Sequence, residues 1–350
     1  MENKVSVRGR MARKMVEIAN HLSPVADNGS KSELRDKLFA RDWKCPEHLQ
    51  LIGIEMETFH MELLRERMSV EERDCFIEHK ETAEHQKSVD EWNGKSFGQT
   101  DIQNDESMDN AWRYTPNPKG IIFQLHGGGY YLDMNNSYRD VAVQYRDVSG
   151  GMDVLTIDYR VAPAFPYPAA LEDALEAYQW ILEQGYEGSD IVVAGDSAGG
   201  GLGLALCLYL RDNDMPLPKS VITMSAWTDL TCTGESYEKN FNIDPVFGGT
   251  RDSVVFQNEY YRNDSPENPY ISPVFGKYDG FPPMLMQVGE CEMLLSDTVT
   301  VAEKAKAAGV KVNMHIYPGM FHIFQKGMSM YPESKMAWDE VGRFLRGEKL

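Results

Sequence analysis

Beyond Trp112 the chain alternates between two hydrophobic rhythms. Apolar runs of strand length stand at 121–125, 154–157, 191–194, 221–224, 284–288 and 312–316. Stretches patterned for helices lie near 138–148, 170–184, 198–212, 251–262, 297–309 and 333–346. The runs are nearly continuous in apolar residues and rich in β-branched ones, which suits strands covered on both faces. This alternation predicts an α/β fold: a mostly parallel central sheet with helices on both faces. Ligands of such sheets bind outside the carboxyl ends of the strands, so chemistry is expected just after the runs.

The first hundred residues read differently. Met11, Met15, Ile18 and Leu22 recur at helical spacing, and 30–38 reads as a second, shorter helix. Over 51–64 Ile52, Ile54 and Met56 alternate as in a strand, while Glu and Met also suit a helix. The stretch 66–110 is strongly polar, and its end, "NGKSFGQTDIQNDESMDN", reads as loop.

Composition narrows the class. The chain has 350 residues, 42% of them apolar, room for one large domain or two ordinary ones with a sizeable core. The formal charge of -19 argues against nucleic acid and against an anionic membrane as partners, since both repel an acidic surface. No run approaches the roughly 18 apolar residues of a membrane span. "MENKVS" at the start lacks the apolar stretch of a secretion signal. The five cysteines are widely spaced with no Cys-x-x-Cys, so neither a disulfide framework nor a zinc cage is indicated, and a cytoplasmic location is the simplest expectation. No His-Glu-x-x-His occurs, and no metal site is indicated.

Two motifs follow apolar runs, where chemistry is expected. After 191–194 comes Gly195-Asp196-Ser197-Ala198-Gly199-Gly200, and a helical pattern begins at once. A sharp strand-to-helix turn there lifts a serine hydroxyl above the sheet edge. Small neighbours are needed because the backbone is tight. After 121–125 comes His126-Gly127-Gly128-Gly129-Tyr130. Glycines there let a loop bring backbone N–H groups close to a reacting oxygen, as the oxyanion of acyl transfer requires. A bare G-x-S-x-G arises by chance in this length about one time in ten, and H-G-G-G only a few times in a thousand. The pair is therefore far more specific than either alone.

A serine nucleophile needs a general base in hydrogen-bond reach and a carboxylate to orient it, in the chain order Ser, acid, His. Two histidines follow Ser197. His315 falls inside the last apolar run and reads as a strand side chain. His322 falls in the loop "PGMFHIF" after that run and is the candidate base. The acid should follow 284–288, where Glu290, Glu292 and Asp297 compete. Asp297 has the position of a helix cap, and Glu290 is nearest the strand end. Position does not choose among them. His126 reads as a structural support of its loop, Asp196 as a polar anchor, and Asp158 and Arg160 as ties between loops. The cluster Gly199, Gly200, Gly201 and Gly203 fits no nucleotide-binding motif and reads as close packing of helix on strand.

The chain resembles the hormone-sensitive-lipase-like esterases, the bacterial family IV branch of the α/β-hydrolases. The resemblance rests on "HGGGY" at 126–130, "DYRVAP" at 158–163, "PYPAALED" at 166–173, "GDSAGG" at 195–200, "SAWTDLT" at 225–231 and "YPGMFHIF" at 317–324. It covers about 112–350. It implies a serine carboxylic-ester hydrolase with Ser197 as nucleophile, His322 as base, and Gly128, Gly129 and Ala198 as oxyanion-hole amides. The family's acid segment, D-P-L-x-D, falls on Glu292-Met293-Leu294-Leu295-Ser296, which puts Glu292 on the acid position with Glu in place of Asp. Asp297 and Glu290 stay as alternatives, and Tyr130 is a candidate for the acyl pocket. The resemblance further implies a small ester substrate with a short to medium acyl chain and no cofactor. It makes the sheet edge near 312–316 a candidate homodimer surface. The expected domains are an N-terminal helical cap over 1–50 and a catalytic domain over 51–350, with a polar insertion at 66–110 and a second cap piece at 226–280. A deacetylase, lactonase or amidase uses the same constellation. A non-catalytic receptor on this fold is disfavoured by His322, and a peptidase by the lack of a large extra domain.

Overall fold

All six apolar runs are strands, and two more precede them. The computed structural model describes residues 5–22, 43–67, 116–262 and 264–350. Its strands are β1 (Leu49–Glu55), β2 (His60–Glu66), β3 (Ile121–Leu125), β4 (Asp153–Asp158), β5 (Ile191–Asp196), β6 (Ser220–Met224), β7 (Met284–Gly289) and β8 (Val312–Tyr317). They form one sheet in the order β1-β2-β4-β3-β5-β6-β7-β8. β2 pairs antiparallel with β1 and β4, and every other neighbour pair is parallel. The described helices are α1 (Val7–Leu22), α2 (Asn136–Ser149), α3 (Ala169–Glu183), α4 (Ser197–Asp212), the one-turn α5 (Ser236–Lys239), α6 (Leu295–Ala307) and α7 (Pro332–Leu345).

Successive strand residues face opposite sides, so each strand feeds two cores. Ile122, Val154, Val192, Ile222 and Leu285 pack with Val141 and Tyr145 of α2 and Trp338 and Val341 of α7. Phe123, Leu155, Val193, Val221 and Met286 pack with α3, α4 and α6. Burial on both faces is why β3, β5, β6 and β7 read as nearly continuous apolar runs.

One ambiguity is resolved and two expectations change. The ambiguous segment 51–64 is the β1–β2 hairpin, with Leu51 opposite Leu64 and Ile54 opposite Met61. The stretch 251–262 forms turns, not a helix. There Thr250 Oγ1 accepts from Asp252 N–H, Ser253 Oγ from Val255 N–H and Asn258 Oδ1 from Tyr260 N–H. Such local side-chain bonds occupy the donors that a helical ladder would use. In α1 the Met11–Met15 stripe faces outward, while Ala12 and Val16 pack near Met320 and Phe321. Gly9 allows that approach, since a Cβ there would lie 2.7 Å from Glu333 Oε2. Ser6 fixes the start of the segment through its N–H and hydroxyl on Glu333, at 2.6 and 2.8 Å. The expected helix at 30–38 and nearly all of the polar stretch 66–110 lie outside the described residues. No described helix is long and apolar enough to cross a membrane.

Candidate active site

The loops that carry the two glycine motifs leave adjacent strands at the same level, with Leu125 opposite Gly195. Ser197 begins α4 with φ +53°, a left-handed turn between strand and helix. Other atoms crowd this turn. A Cβ on Gly195 would lie 2.3 Å from Gly199 O, and one on Gly199 would lie 2.1 Å from Leu125 O. Asp196 Oδ2 accepts from the Tyr138 hydroxyl at 3.1 Å, and the Tyr138 oxygen accepts Gly127 N–H at 2.9 Å. One tyrosine thus ties the serine turn to the glycine loop. No sequence motif marks Tyr138.

The turn presents Ser197 to the loop after β8. Ser197 Oγ lies 3.0 Å from His322 Nε2, and His322 Nδ1 lies 3.1 Å from Glu292 Oε2. Ser197 is 5% exposed, His322 3% and Glu292 0%. With Nδ1–H donating to the carboxylate, Nε2 is left to accept the serine proton. The other oxygen of Glu292, Oε1, accepts from Gly289 N–H at 2.5 Å and from the Ser225 hydroxyl at 2.7 Å. The turn 290–293 is tied down from the segment after β6. Asn240 Nδ2 donates to the carbonyls of Glu290 and Glu292, and Asp244 Oδ2 accepts Met293 N–H at 2.7 Å. Asn240 and Asp244 were not singled out by the sequence, and Ser225 only as the first residue of the "SAWTDLT" stretch. Each reaches a partner distant in the chain.

The two competing carboxylates are bonded elsewhere. Asp297 is the third residue of α6, and it does not cap that helix, which begins after Leu294. Its Oδ2 instead accepts Thr228 N–H and Asp229 N–H at 2.7 and 2.8 Å, supporting the loop after β6. Burial, with Asp229 nearby, pushes its carboxyl well above the usual carboxylate range. Glu290 Oε2 accepts Gly319 N–H at 2.8 Å near the surface. His315 pairs with Glu340 of α7.

In the glycine loop Gly128 and Gly129 have φ of +129° and +66°. Among the described residues their N–H groups make no hydrogen bond within the chain. Ala198 N–H lies in the first turn of α4, where no intrahelical acceptor exists. The segment after β6 covers this loop. Asn258 Nδ2 donates to Gly129 O at 3.2 Å, Val254 flanks Gly129, and the Phe247 ring lies 4.6 Å from the His322 ring. Tyr130 is buried, its ring stacked 3.8 Å from Tyr260 within the core. His126 is stacked on Tyr159, and its Nδ1–H donates to Gly127 O at 2.7 Å. Its Nε2 stands 3.7 Å from Asp158 Oδ1, outside bonding range, so burial dominates and pushes its pKa down to about 4. Asp158 accepts Met134 N–H, and Arg160 pairs with Asp173. Among the described residues no three His, Cys, Asp or Glu side chains are grouped to hold a metal.

A family described as having the alpha/beta hydrolase fold matches residues 122–326. An esterase of Acinetobacter venetianus is 37% identical over 226 residues, 64% of this chain and 74% of that protein. An acetyl-hydrolase of Streptomyces hygroscopicus is 37% identical over 225 residues, 64% of this chain and 75% of that protein. Among solved structures, an esterase from the bacterial hormone-sensitive lipase family superposes with a TM-score of 0.77 at 27% identity, covering 99% of both chains. The esterase EstE5, soaked with p-nitrophenyl butyrate, gives 0.75 at 28% identity over 98% of both chains.

Proposed function

Because this chain belongs to the α/β-hydrolase family, in its hormone-sensitive-lipase-like esterase branch, and is a carboxylesterase-type hydrolase, we propose that Ser197, His322 and Glu292 form its catalytic triad. The observation that carries the reading is the unbroken relay from hydroxyl to imidazole to carboxylate, at 3.0 and 3.1 Å. Ser197 Oγ attacks the ester carbonyl as His322 Nε2 takes its proton. Glu292 holds the Nδ1–H tautomer and stabilises the imidazolium. The N–H groups of Gly128, Gly129 and Ala198 receive the oxyanion. His322 then protonates the leaving alcohol, and water activated by the same nitrogen releases the acid from the acyl-enzyme. The scheme uses no cofactor. Tyr130 acts in it from beneath, as the packed support of the loop.

The proposed substrate is a small carboxylic ester with a short to medium acyl chain. Phe247 beside His322 and Val254 beside Gly129 support a confined site. The similarity to an acetyl-hydrolase favours acetyl esters, and removal of acetyl groups from a larger molecule is the second reading. In this scheme the chain before β1 and the segment 226–280 act as the cap pieces, with the expected boundary at 50 falling two residues inside β1, and the outer edge of β8 is the homodimer surface. Cys45, Cys207, Cys232 and Cys291 are free thiols, which fits work in the cytoplasm.

The test is a series of p-nitrophenyl esters from acetate to palmitate on wild type and Ser197→Ala. Acetate and butyrate are expected to turn over fastest, with kcat/KM at least about tenfold lower for the longest chains. Ser197→Ala should lose on the order of 10⁴-fold in kcat. Full turnover by Ser197→Ala sinks the triad, and a kcat/KM that rises toward palmitate sinks the acyl limit.

A further inference from the structure

Ser225 opens the "SAWTDLT" stretch, which the mechanism above leaves without a role. It is the first residue after β6, wholly buried, with φ +53°. That left-handed conformation suits glycine far better than serine, so the side chain needs a reason to be there. The hydroxyl supplies one. It donates to Glu292 Oε1 at 2.7 Å and accepts Ile323 N–H at 3.1 Å. The polarity of this bridge is fixed, because an amide can only donate and the hydroxyl has one proton to give.

The bridge joins the two groups that must meet at His322 Nδ1. At one end is the far oxygen of the acid, and at the other is the backbone immediately after the base. Its anchor is rigid, since Ser225 N–H donates to Gln287 O at 2.7 Å, extending the β6–β7 ladder. A glutamate has one more rotatable bond than an aspartate, so it loses more freedom when held in one orientation. With Gly289 N–H and Ser225 both on Oε1, Oε2 is left facing the imidazole.

We propose that Ser225 is a positioning residue, whose hydroxyl locks the Glu292 carboxylate and the backbone after His322 into one frame without touching substrate. The inference rests on the triad reading above. The test is a double-mutant cycle of Ser225→Gly and Glu292→Ala, read as kcat and KM on p-nitrophenyl acetate with urea unfolding of each variant. Glycine accepts φ +53° without strain and removes the hydroxyl together with its Cβ, whereas alanine removes the hydroxyl alone. Ser225→Gly is expected to lower kcat by about 10–100-fold with KM within about threefold. In the Glu292→Ala background the same change should move kcat less than about threefold, because the acid it positions is gone. Two results overturn the proposal: Ser225→Gly with kcat within about threefold of wild type while Glu292→Ala is impaired, or an equal loss in both backgrounds, which marks a purely structural serine. Wild-type kcat in Glu292→Ala instead removes the triad reading, and this proposal with it. If Ser225→Gly fails to fold, Ser225→Ala is read through the same cycle.

Discussion

Glu290, Glu292 and Asp297 stand within eight positions of one another, and their partners alone distinguish them. Glu292 faces an imidazole, Asp297 holds two backbone amides and Glu290 holds one amide near solvent. Their alanine variants should therefore fail in different ways. Glu292→Ala is expected to lose about 10²–10⁴-fold in kcat, because the imidazole loses its tautomer and its counter-charge. Asp297→Ala leaves Thr228 and Asp229 N–H unpaired in the core and should cost about 2–4 kcal/mol, while the folded fraction keeps its kcat. Asp297→Asn should be much milder. Burial already favours the uncharged carboxyl there, and an amide oxygen still accepts the two N–H groups. Glu290→Ala should stay within about 0.5 kcal/mol and keep its kcat. Urea midpoints with kcat on p-nitrophenyl acetate separate these outcomes, and a stable but inactive Asp297→Ala contradicts the assignment.

At the scale of elements, the chain was legible where burial is two-sided or motifs are local. The central strands announced themselves because neither face meets water, and Ser197 and the glycine loop because tight turns demand small residues. His322 stood out because it sits past the last strand. The β1–β2 hairpin was only half legible, since Ile52 and Ile54 alternate as in a strand while the Glu and Met residues of 51–64 also suit a helix. The turns at 251–262 were not legible, because bonding by Ser253 and Asn258 overrode a helical-looking pattern. Tyr138, Ser225, Asn240 and Asp244 were illegible for another reason: each works through polar contacts that reach residues distant in sequence, and periodicity carries no trace of those. The β5–α4 junction shows local propensity losing to packing. In an exposed helix Gly→Ala gains about 1 kcal/mol. At Gly199 the added methyl would meet Leu125 O at 2.1 Å, so Gly199→Ala should instead destabilise by about 3 kcal/mol or more. A urea midpoint at or above wild type would show that the strand-to-helix turn is looser than described.

At the scale of the whole molecule, His126 couples global stability to pH. Its ring is wholly buried, burial holds its pKa at about 4, and its Nδ1–H is committed to Gly127 O. In the unfolded chain the same imidazole titrates near 6.5. Between these values the unfolded state binds a proton that the folded state refuses, so the stabilising contribution is complete above about pH 6.5 and is lost as pH falls toward 4. From pH 7 to pH 5 this single group should cost roughly 2 kcal/mol. His60 and His315 act in the opposite sense. Glu62 and Glu55 raise the pKa of the first and Glu340 that of the second, so their contributions are present in acid and fade as pH rises. The relaxing self-repulsion of a chain at -19 also opposes the loss. A comparison with His126→Gln cancels these shared contributions. Urea unfolding of both proteins at pH 7 and pH 5 should show wild type losing roughly 2 kcal/mol more than the variant. Equal losses would mean that the buried ring takes up its proton in the folded state. The loop that carries Gly128 and Gly129 would then gain a positive charge between pH 7 and pH 5.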